Sequence, residues 1–235
     1  MSSRRTVLVT GGTRGIGREV VRLLAPTWRV LVGGRSESSV AEVVAGCPDA
    51  AGFVCDLADE DAVAAAAASI TELDAVVHSA GVLGRFGPME SQSRADWRHV
   101  LELNVVAVAD LTRLLLPVLR ASRGQVVVVN SGSGFTAGAN SGGYAASKFA
   151  VRAWADSLRA EERGVLRVSS IHPGRVDTDM QRAIVAAEGG RYDPAAFLTP
   201  GSVAAAVRQA LLAAPDAHPT EVILRPRPHR ARGTA

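Results

Sequence analysis

Tyr144 and Lys148 close the run Tyr144-Ala145-Ala146-Ser147-Lys148 inside an Ala-rich stretch that predicts a helix, so both side chains share one face. A phenol titrates near pH 10 and is a poor acid–base catalyst at neutral pH. A cation about 4 Å away, at an effective dielectric near 20, contributes roughly 4 kcal/mol. That is enough to lower a phenol by up to about three units, into the range useful for general acid–base work. Ser131 lies earlier, at the end of the Val-rich run Gln125–Asn130. Parallel sheets present ligands at the carboxyl ends of their strands, so its hydroxyl can hold a substrate oxygen there. Tyrosine in a helix is more often packing, and serine after a strand more often a turn or cap. The argument therefore rests on the three together.

Composition singles out the same lysine. Of 26 basic residues, Lys148 is the sole lysine and the rest are arginine. Arginine serves wherever a surface needs positive charge, whereas a compact ammonium with rotatable donors is a different chemical object.

The elements that must position these groups alternate along the chain. Strands are predicted at Thr6–Thr10, Arg29–Val32, Gly52–Cys55, Asp74–His78, Gln125–Asn130, Arg167–Ile171 and Glu221–Leu224. Helices are predicted near 15–25, 37–45, 59–70, 94–120, 142–163 and 200–213, with 179–199 irregular. Continuous apolar strands separated by helices imply an α/β fold: a single-domain, Rossmann-type, doubly wound sheet of about seven parallel strands with helices on both faces. The domain is expected over 1–224, followed by a basic, flexible tail over 225–235.

That tail holds four arginines, two prolines and no acid, and accounts for the formal charge of +3, so the body is nearly neutral. No basic stripe with aromatics accompanies it, and no nucleic-acid partner is expected. No apolar run reaches the roughly 18 residues of a membrane span, and the amino terminus lacks the pattern of a signal peptide. The two cysteines, Cys47 and Cys55, have no metal-type spacing, so free thiols, a cytoplasmic setting and no metal site are expected.

The first strand runs into Gly11-Gly12-Thr13-Arg14-Gly15-Ile16-Gly17 and then a helix. Glycines allow a tight turn and close approach of a pyrophosphate, which the N–H groups and positive end of the helix receive. The end of the second strand selects the dinucleotide. A carboxylate there binds the 2′-hydroxyl of NAD, but this chain has Gly33-Gly34-Arg35-Ser36 with no acid until Glu37. Arg35, with Ser36 beside it and Arg14 in the preceding loop, suits a 2′-phosphate, so NADP(H) is expected over NAD(H). Asp56, after the third strand, is placed to accept from the adenine amino group or to cap the next helix.

Taken in order, Thr10-Gly11-x-x-x-Gly15-x-Gly17, Asp56-Leu57, Ala80-Gly81, Asn104, Ser131, Tyr144-x-x-x-Lys148 and Pro173-Gly174-x-Val176-x-Thr178 resemble the short-chain dehydrogenase/reductase family, of its NADP(H)-preferring type, over essentially the whole folded length. The resemblance implies that Tyr144 is the general acid/base and that Ser131 positions the carbonyl or alcohol. It implies that Lys148 binds the nicotinamide ribose and lowers the tyrosine pKa, while Asn104 holds a water through its backbone carbonyl. Pro173, Gly174, Val176 and Thr178 would border the nicotinamide. Ser79, Ala80 and Gly81 would approach the adenosine ribose. The family commonly has Asn-Asn-Ala-Gly where this chain has His78-Ser79-Ala80-Gly81. This puts the sheet-bracing bonds of the first Asn in doubt, and His78, flanked by Val76 and Val77, reads as a core histidine.

The expected activity is NADPH-dependent reduction of a ketone or aldehyde to an alcohol, with a small-molecule substrate and a homodimer or homotetramer as the assembly. Two alternatives stand beside it. One is a 3-oxoacyl-thioester reductase, with Arg123 and Arg167 as candidate contacts to an acidic carrier protein. The other is a dinucleotide-sensing protein that lost the reaction. The substrate pocket is expected from Val82–Met89, Gly132–Gly143 and the segment after Gly174, with Leu83, Phe86 and Phe135 making it apolar.

Overall fold

The structure, a computed structural model, describes residues 4–227. Seven parallel strands form one sheet in the order β3-β2-β1-β4-β5-β6-β7. They are β1 Thr6–Thr10, β2 Arg29–Gly34, β3 Ala50–Val54, β4 Ala75–His78, β5 Gln125–Val129, β6 Arg167–Pro173 and β7 Glu221–Leu224. Every residue of β1, β4 and β5 is buried, as expected of strands covered on both faces. Pleating then divides the core in two. Val7 and Val9 face a layer built with Val20, Val21, Leu24 and Val207, while Leu8 between them joins Val63, Leu111, Leu115 and Leu158.

The helices are α1 Gly15–Leu24, α2 Glu37–Ala45, α3 Glu60–Ala68, α4 Arg94–Leu101, α5 Ala107–Ser122, α6 Gly142–Glu161, α7 Asp179–Ala187 and α8 Pro200–Leu211. The first of the two core layers packs α1, α2 and α8, and the second packs α3, α5 and α6. Side-chain caps set several starts: Asp59 accepts from Ala62 N–H at α3, and Ser93 with Asp96 makes a reciprocal capping box at α4.

The expected fold class holds, and the departures have local causes. The strand expected to end at Val32 continues through Gly33 and Gly34, which pair with Phe53 and Val54. Those glycines carry no side chain to signal a strand. The strand expected over Gly52–Cys55 is shifted to Ala50–Val54 by the same register. β6 runs on to Pro173, whose missing N–H is harmless at a strand end. The single helix expected over 94–120 is divided by a π-helical turn, Glu102–Val106. Such turns insert an extra residue into the ladder without changing hydrophobic periodicity, so the sequence does not announce them. The irregular 179–199 stretch holds α7, which Thr178 caps by accepting from Gln181 N–H.

In this strand order the chain leaves β1 in opposite directions, so the crevice between the ends of β1 and β4 is the switch point where such sheets bind ligands. Gly11, Ser79, Ser131 and Gly174 all follow their strands on that edge.

Candidate active site

The Gly-rich turn is shaped by close backbone approach. Gly11 and Gly15 have φ of 63° and 52°, in the left-handed region that glycine adopts freely. A Cβ on Gly11 would stand 2.9 Å from the backbone of Ala80, and one on Gly17 would stand 2.2 Å from the Gly11 carbonyl oxygen. The turn is thereby pressed against Ala80, and Thr10 Oγ1 fixes the same junction by accepting from the Ser79 and Ala80 N–H groups. In the sequence Thr10 is only one position of a motif, and its bracing role is visible in these bonds.

A cavity of about 780 Å³ opens in front of the turn. Gly11, Thr13, Arg14, Gly15, Ile16 and Gly17 line it, with Arg35, Ser36, Asp56, Leu57, Ser79, Ala80, Gly81 and Thr178. Arg14 and Arg35 have about three quarters of their side chains exposed. Their ion pairs, with Asp179 at 3.7 Å and Asp56 at 3.9 Å, are long enough to be readily exchanged for a better anion. Ser36 is shared: its Oγ also accepts from Ser39 N–H at 3.4 Å, capping α2. Asp56 does not cap α3, a task Asp59 performs; its Oδ1 accepts from Ala58 N–H in a turn.

A second cavity, about 650 Å³, adjoins the first through shared walls at Ile16, Ser79, Ala80, Gly81, Thr178 and Met180. It brings together Ser131, Tyr144, Lys148, Pro173, Gly174 and Val176. The Ser131 hydroxyl meets the Tyr144 phenol, and Ser131 Oγ accepts from Ser133 N–H at 3.1 Å, which fixes its rotamer. Lys148 is buried, its Nζ donating to the Val129 carbonyl at 3.4 Å and standing 5.6 Å from the centre of the Tyr144 ring. Asn130 Nδ2 in turn donates to the Lys148 carbonyl at 3.2 Å, gripping the helix that carries the lysine.

The titration of the pair corrects the sequence expectation. Burial pushes the Tyr144 phenol above its ordinary value, partly opposed by the hydrogen bond with Ser131. Burial also lowers the Lys148 ammonium to about 8. The helical spacing implied a lysine close enough to depress the phenol, whereas burial is the largest influence here and carries the phenol the other way. A raised phenol is protonated at neutral pH, the state a proton donor needs.

Asn104 lies within the π-helical turn. Its Oδ1 accepts from Val82 N–H at 2.9 Å, and its Nδ2 donates to the Val82 carbonyl at 2.9 Å and to Ser147 Oγ at 3.0 Å. The side chain thus joins the loop after β4 to the helix of Tyr144 and Lys148. Ser147, not singled out in the sequence, completes the link by donating to the Tyr144 carbonyl at 2.7 Å.

Other expectations divide. Leu83 and Phe86 line the second cavity. Phe135 does not; it packs 4.5 Å from His172 and lies beneath the Arg152 guanidinium at 4.1 Å. His78 is a core histidine, bonded to Thr112 Oγ1 at 2.8 Å and lowered by burial to about 4. Arg123 and Arg167 sit at the opposite edge of the sheet, before β5 and at the start of β6. Arg167 spends its guanidinium on the carbonyls of Ala213, Ala214 and Ala217. Neither lines either of these two cavities, so these two arginines are not placed to serve the carrier-protein alternative at the site. The tail boundary at 224 cuts through contacts, because Arg225 reaches back into the second cavity. Residues 228–235 of that tail lie outside the described residues. Among the described residues no cluster of metal-ligating side chains occurs, and no helix is long and apolar enough to cross a membrane. Cys47 and Cys55 are free thiols.

A doubly wound sheet with a glycine turn at its switch point and a Ser-Tyr-Lys cluster beside it defines a nucleotide-dependent oxidoreductase scaffold. Residues 5–189 match the family model for short chain dehydrogenases, and the chain belongs to that family. It is 34% identical to the oxidoreductase YciK of Escherichia coli K12 over 212 residues, covering 85% of this chain and 82% of that protein. It is 33% identical to a 3-alpha-(or 20-beta)-hydroxysteroid dehydrogenase of Mycobacterium tuberculosis over 184 residues, covering 75% and 70%. A short chain dehydrogenase from Shigella flexneri, solved in complex with NADP, superposes with a TM-score of 0.84 at 31% identity, covering 95% of this chain and 97% of that one.

Proposed function

We propose that this chain binds NADP(H) and reduces a ketone or aldehyde to an alcohol, with Tyr144 as proton donor. The observation that carries the reading is the meeting of Ser131, Tyr144 and Lys148 in one cavity that adjoins the cavity of the glycine turn through Ser79, Ala80, Gly81 and Thr178. Arg14 and Arg35 would hold the 2′-phosphate, Ser36 adding a hydroxyl, while Gly11, Thr13, Gly15, Ile16 and Gly17 would receive the pyrophosphate. Asp56 and Leu57 would border the adenine, and Ser79, Ala80 and Gly81 its ribose. Pro173, Gly174, Val176 and Thr178 would flank the nicotinamide, with Lys148 on its ribose. The dinucleotide, where bound, supplies the hydride. The solved Shigella flexneri relative, holding NADP, supports this choice of cofactor.

The chain's own contribution is proton handling and placement. With the Ser131 hydroxyl beside the Tyr144 phenol, a carbonyl oxygen bound there would accept from both. The desolvated phenol is protonated at neutral pH and transfers its proton to that oxygen as negative charge develops there. Lys148, near 8, is mostly cationic at neutral pH and stabilises the phenolate left behind. Asn104 keeps the helix bearing both residues in register. A cytoplasmic setting fits the free thiols, and a homodimer or homotetramer is the expected assembly. The test is consumption of NADPH against a panel of ketones and aldehydes, with cofactor binding measured separately. Binding without turnover on any of them would favour a sensor over an enzyme.

A further inference from the structure

The basic tail begins with Arg225, an exposed residue whose side chain nonetheless lies against the second cavity. From the end of β7, Arg225 folds back so that its guanidinium lies against Gly132, the residue after Ser131. A Cβ on Gly132 would stand 3.2 Å from Arg225 Nη1 and 3.4 Å from its Cζ. A Cβ on Gly174 would press on Pro226 Cδ at 3.0 Å and make ordinary contact with Arg225 Cδ at 3.5 Å. Gly132 therefore leaves the room that the guanidinium occupies, and Arg225 lines the second cavity beside Gly132 and Gly174.

The guanidinium is aimed by main chain. Nη1 donates to the carbonyls of Leu224 at 3.1 Å and His172 at 3.4 Å. His172 is itself buried, with Nδ1 3.3 Å from the Ser131 carbonyl. Arg225 is thus tied to the strand end that carries Ser131. These bonds use one of its nitrogens and leave Nη2 and Nε as donors. Among the described residues no carboxylate pairs with it. The other arginine on this wall, Arg175, is bonded to Glu188 at 2.5 Å, and Glu188 is the only acid among the described residues that line the cavity. Lys148, Arg175 and Arg225 against Glu188 leave a net positive cavity. A planar fork whose Nε/Nη2 edge is unengaged, beside the residue that follows Ser131, matches a carboxylate.

We infer that Arg225 selects substrates carrying a carboxylate a few bonds from the reacting carbonyl, so that the reducible compounds are short-chain oxo acids rather than neutral ketones. The inference rests on the carbonyl-reductase reading and adds the substrate class. The arginine grips the carboxylate while Ser131 and Tyr144 hold the carbonyl oxygen, which fixes both ends of a small molecule in a cavity far larger than it needs.

The test compares 4-oxopentanoate and 3-oxobutanoate with their uncharged amides, in the wild type, Arg225→Gln and Arg225→Lys, with NADPH. The ratio of kcat/KM for acid over amide is expected to be about tenfold to a hundredfold in the wild type, the scale of a charge-assisted hydrogen bond. It should collapse in Arg225→Gln, mainly through KM, and return in part in Arg225→Lys. Calorimetric binding of 4-hydroxypentanoate to the NADP+ complex should weaken at least tenfold in Arg225→Gln. A ratio near one in the wild type, or one that Arg225→Gln leaves intact, overturns the inference. So does a preference for a phosphate ester of equal length over the carboxylate. Arginine-dependent binding of 4-hydroxypentanoate without reduction of any oxo acid supports the anion site and defeats the reductase reading instead.

Discussion

Asn104 Nδ2 donates to Ser147 Oγ across 3.0 Å, and this one bond ties the π-helical turn to the helix bearing Tyr144 and Lys148. The same amide satisfies both backbone groups of Val82, and the residue is almost fully buried. The extra residue in the turn is thus used to aim a side chain at a loop and a helix together.

Asn104→Leu keeps the volume and removes every one of these bonds. Each buried polar group left without a partner costs about 1–3 kcal/mol. Urea unfolding should show a loss of at least about 2 kcal/mol, and kcat should fall more than NADPH affinity. A variant with wild-type kcat would mean that the turn does not position the catalytic helix.

Lys148→Arg retains charge but replaces a compact ammonium with a planar fork in a tight place. The lysine is only 7% exposed, and its Nζ donates to the Val129 carbonyl. Turnover is expected to fall by about a hundredfold or more, since overpacking shifts the proton donor and the donor directions differ. Steady-state kinetics at saturating NADPH read this directly, and near-normal turnover would defeat it.

Arg35→Ala removes a cation placed for the 2′-phosphate and leaves Asp56 at the mouth of the same cavity. The preference for NADPH over NADH should shrink by roughly ten- to a hundredfold, by loss of NADPH affinity. Fluorescence titration of the two cofactors measures the ratio. An unchanged ratio would place the phosphate elsewhere.

His78 has a pKa near 4 in the native protein, against 6.5 for a free imidazole, because burial disfavours its charged form. Between those values the unfolded chain takes up a proton that the native state refuses. Its share of stability is therefore complete above about pH 6.5 and is lost progressively as pH falls toward 4, by up to about 3 kcal/mol. Urea midpoints at several pH values should show a weaker acid dependence in His78→Gln. Equal slopes in both proteins would reject this role.

The fold and the reacting groups were legible in the sequence because their signals are local. A glycine turn after a strand, and a tyrosine and lysine one helical turn apart, depend on short spacings. What stayed hidden depends on registers and depths that no spacing encodes. The phenol's rise comes from burial in the finished cavity, the division of the helix at Glu102–Val106 comes from tertiary demands on Asn104, and Phe135 turned toward His172 rather than substrate. Arg225 looked like the start of a solvated tail because proline and arginine follow it. Its contacts arise only when β7 lies beside β6 and brings residue 225 level with Gly174.

The central claim is that Tyr144 donates the proton in an NADPH-driven carbonyl reduction, and Tyr144→Phe tests it most directly. Ring and packing are retained while the hydroxyl facing Ser131 is lost. NADPH binding should remain within about twofold of wild type, while single-turnover oxidation of bound NADPH by a reducible carbonyl slows by about 10² to 10⁴. A Tyr144→Phe protein that oxidises NADPH at the wild-type rate, with alcohol formed in equal amount, would contradict the account.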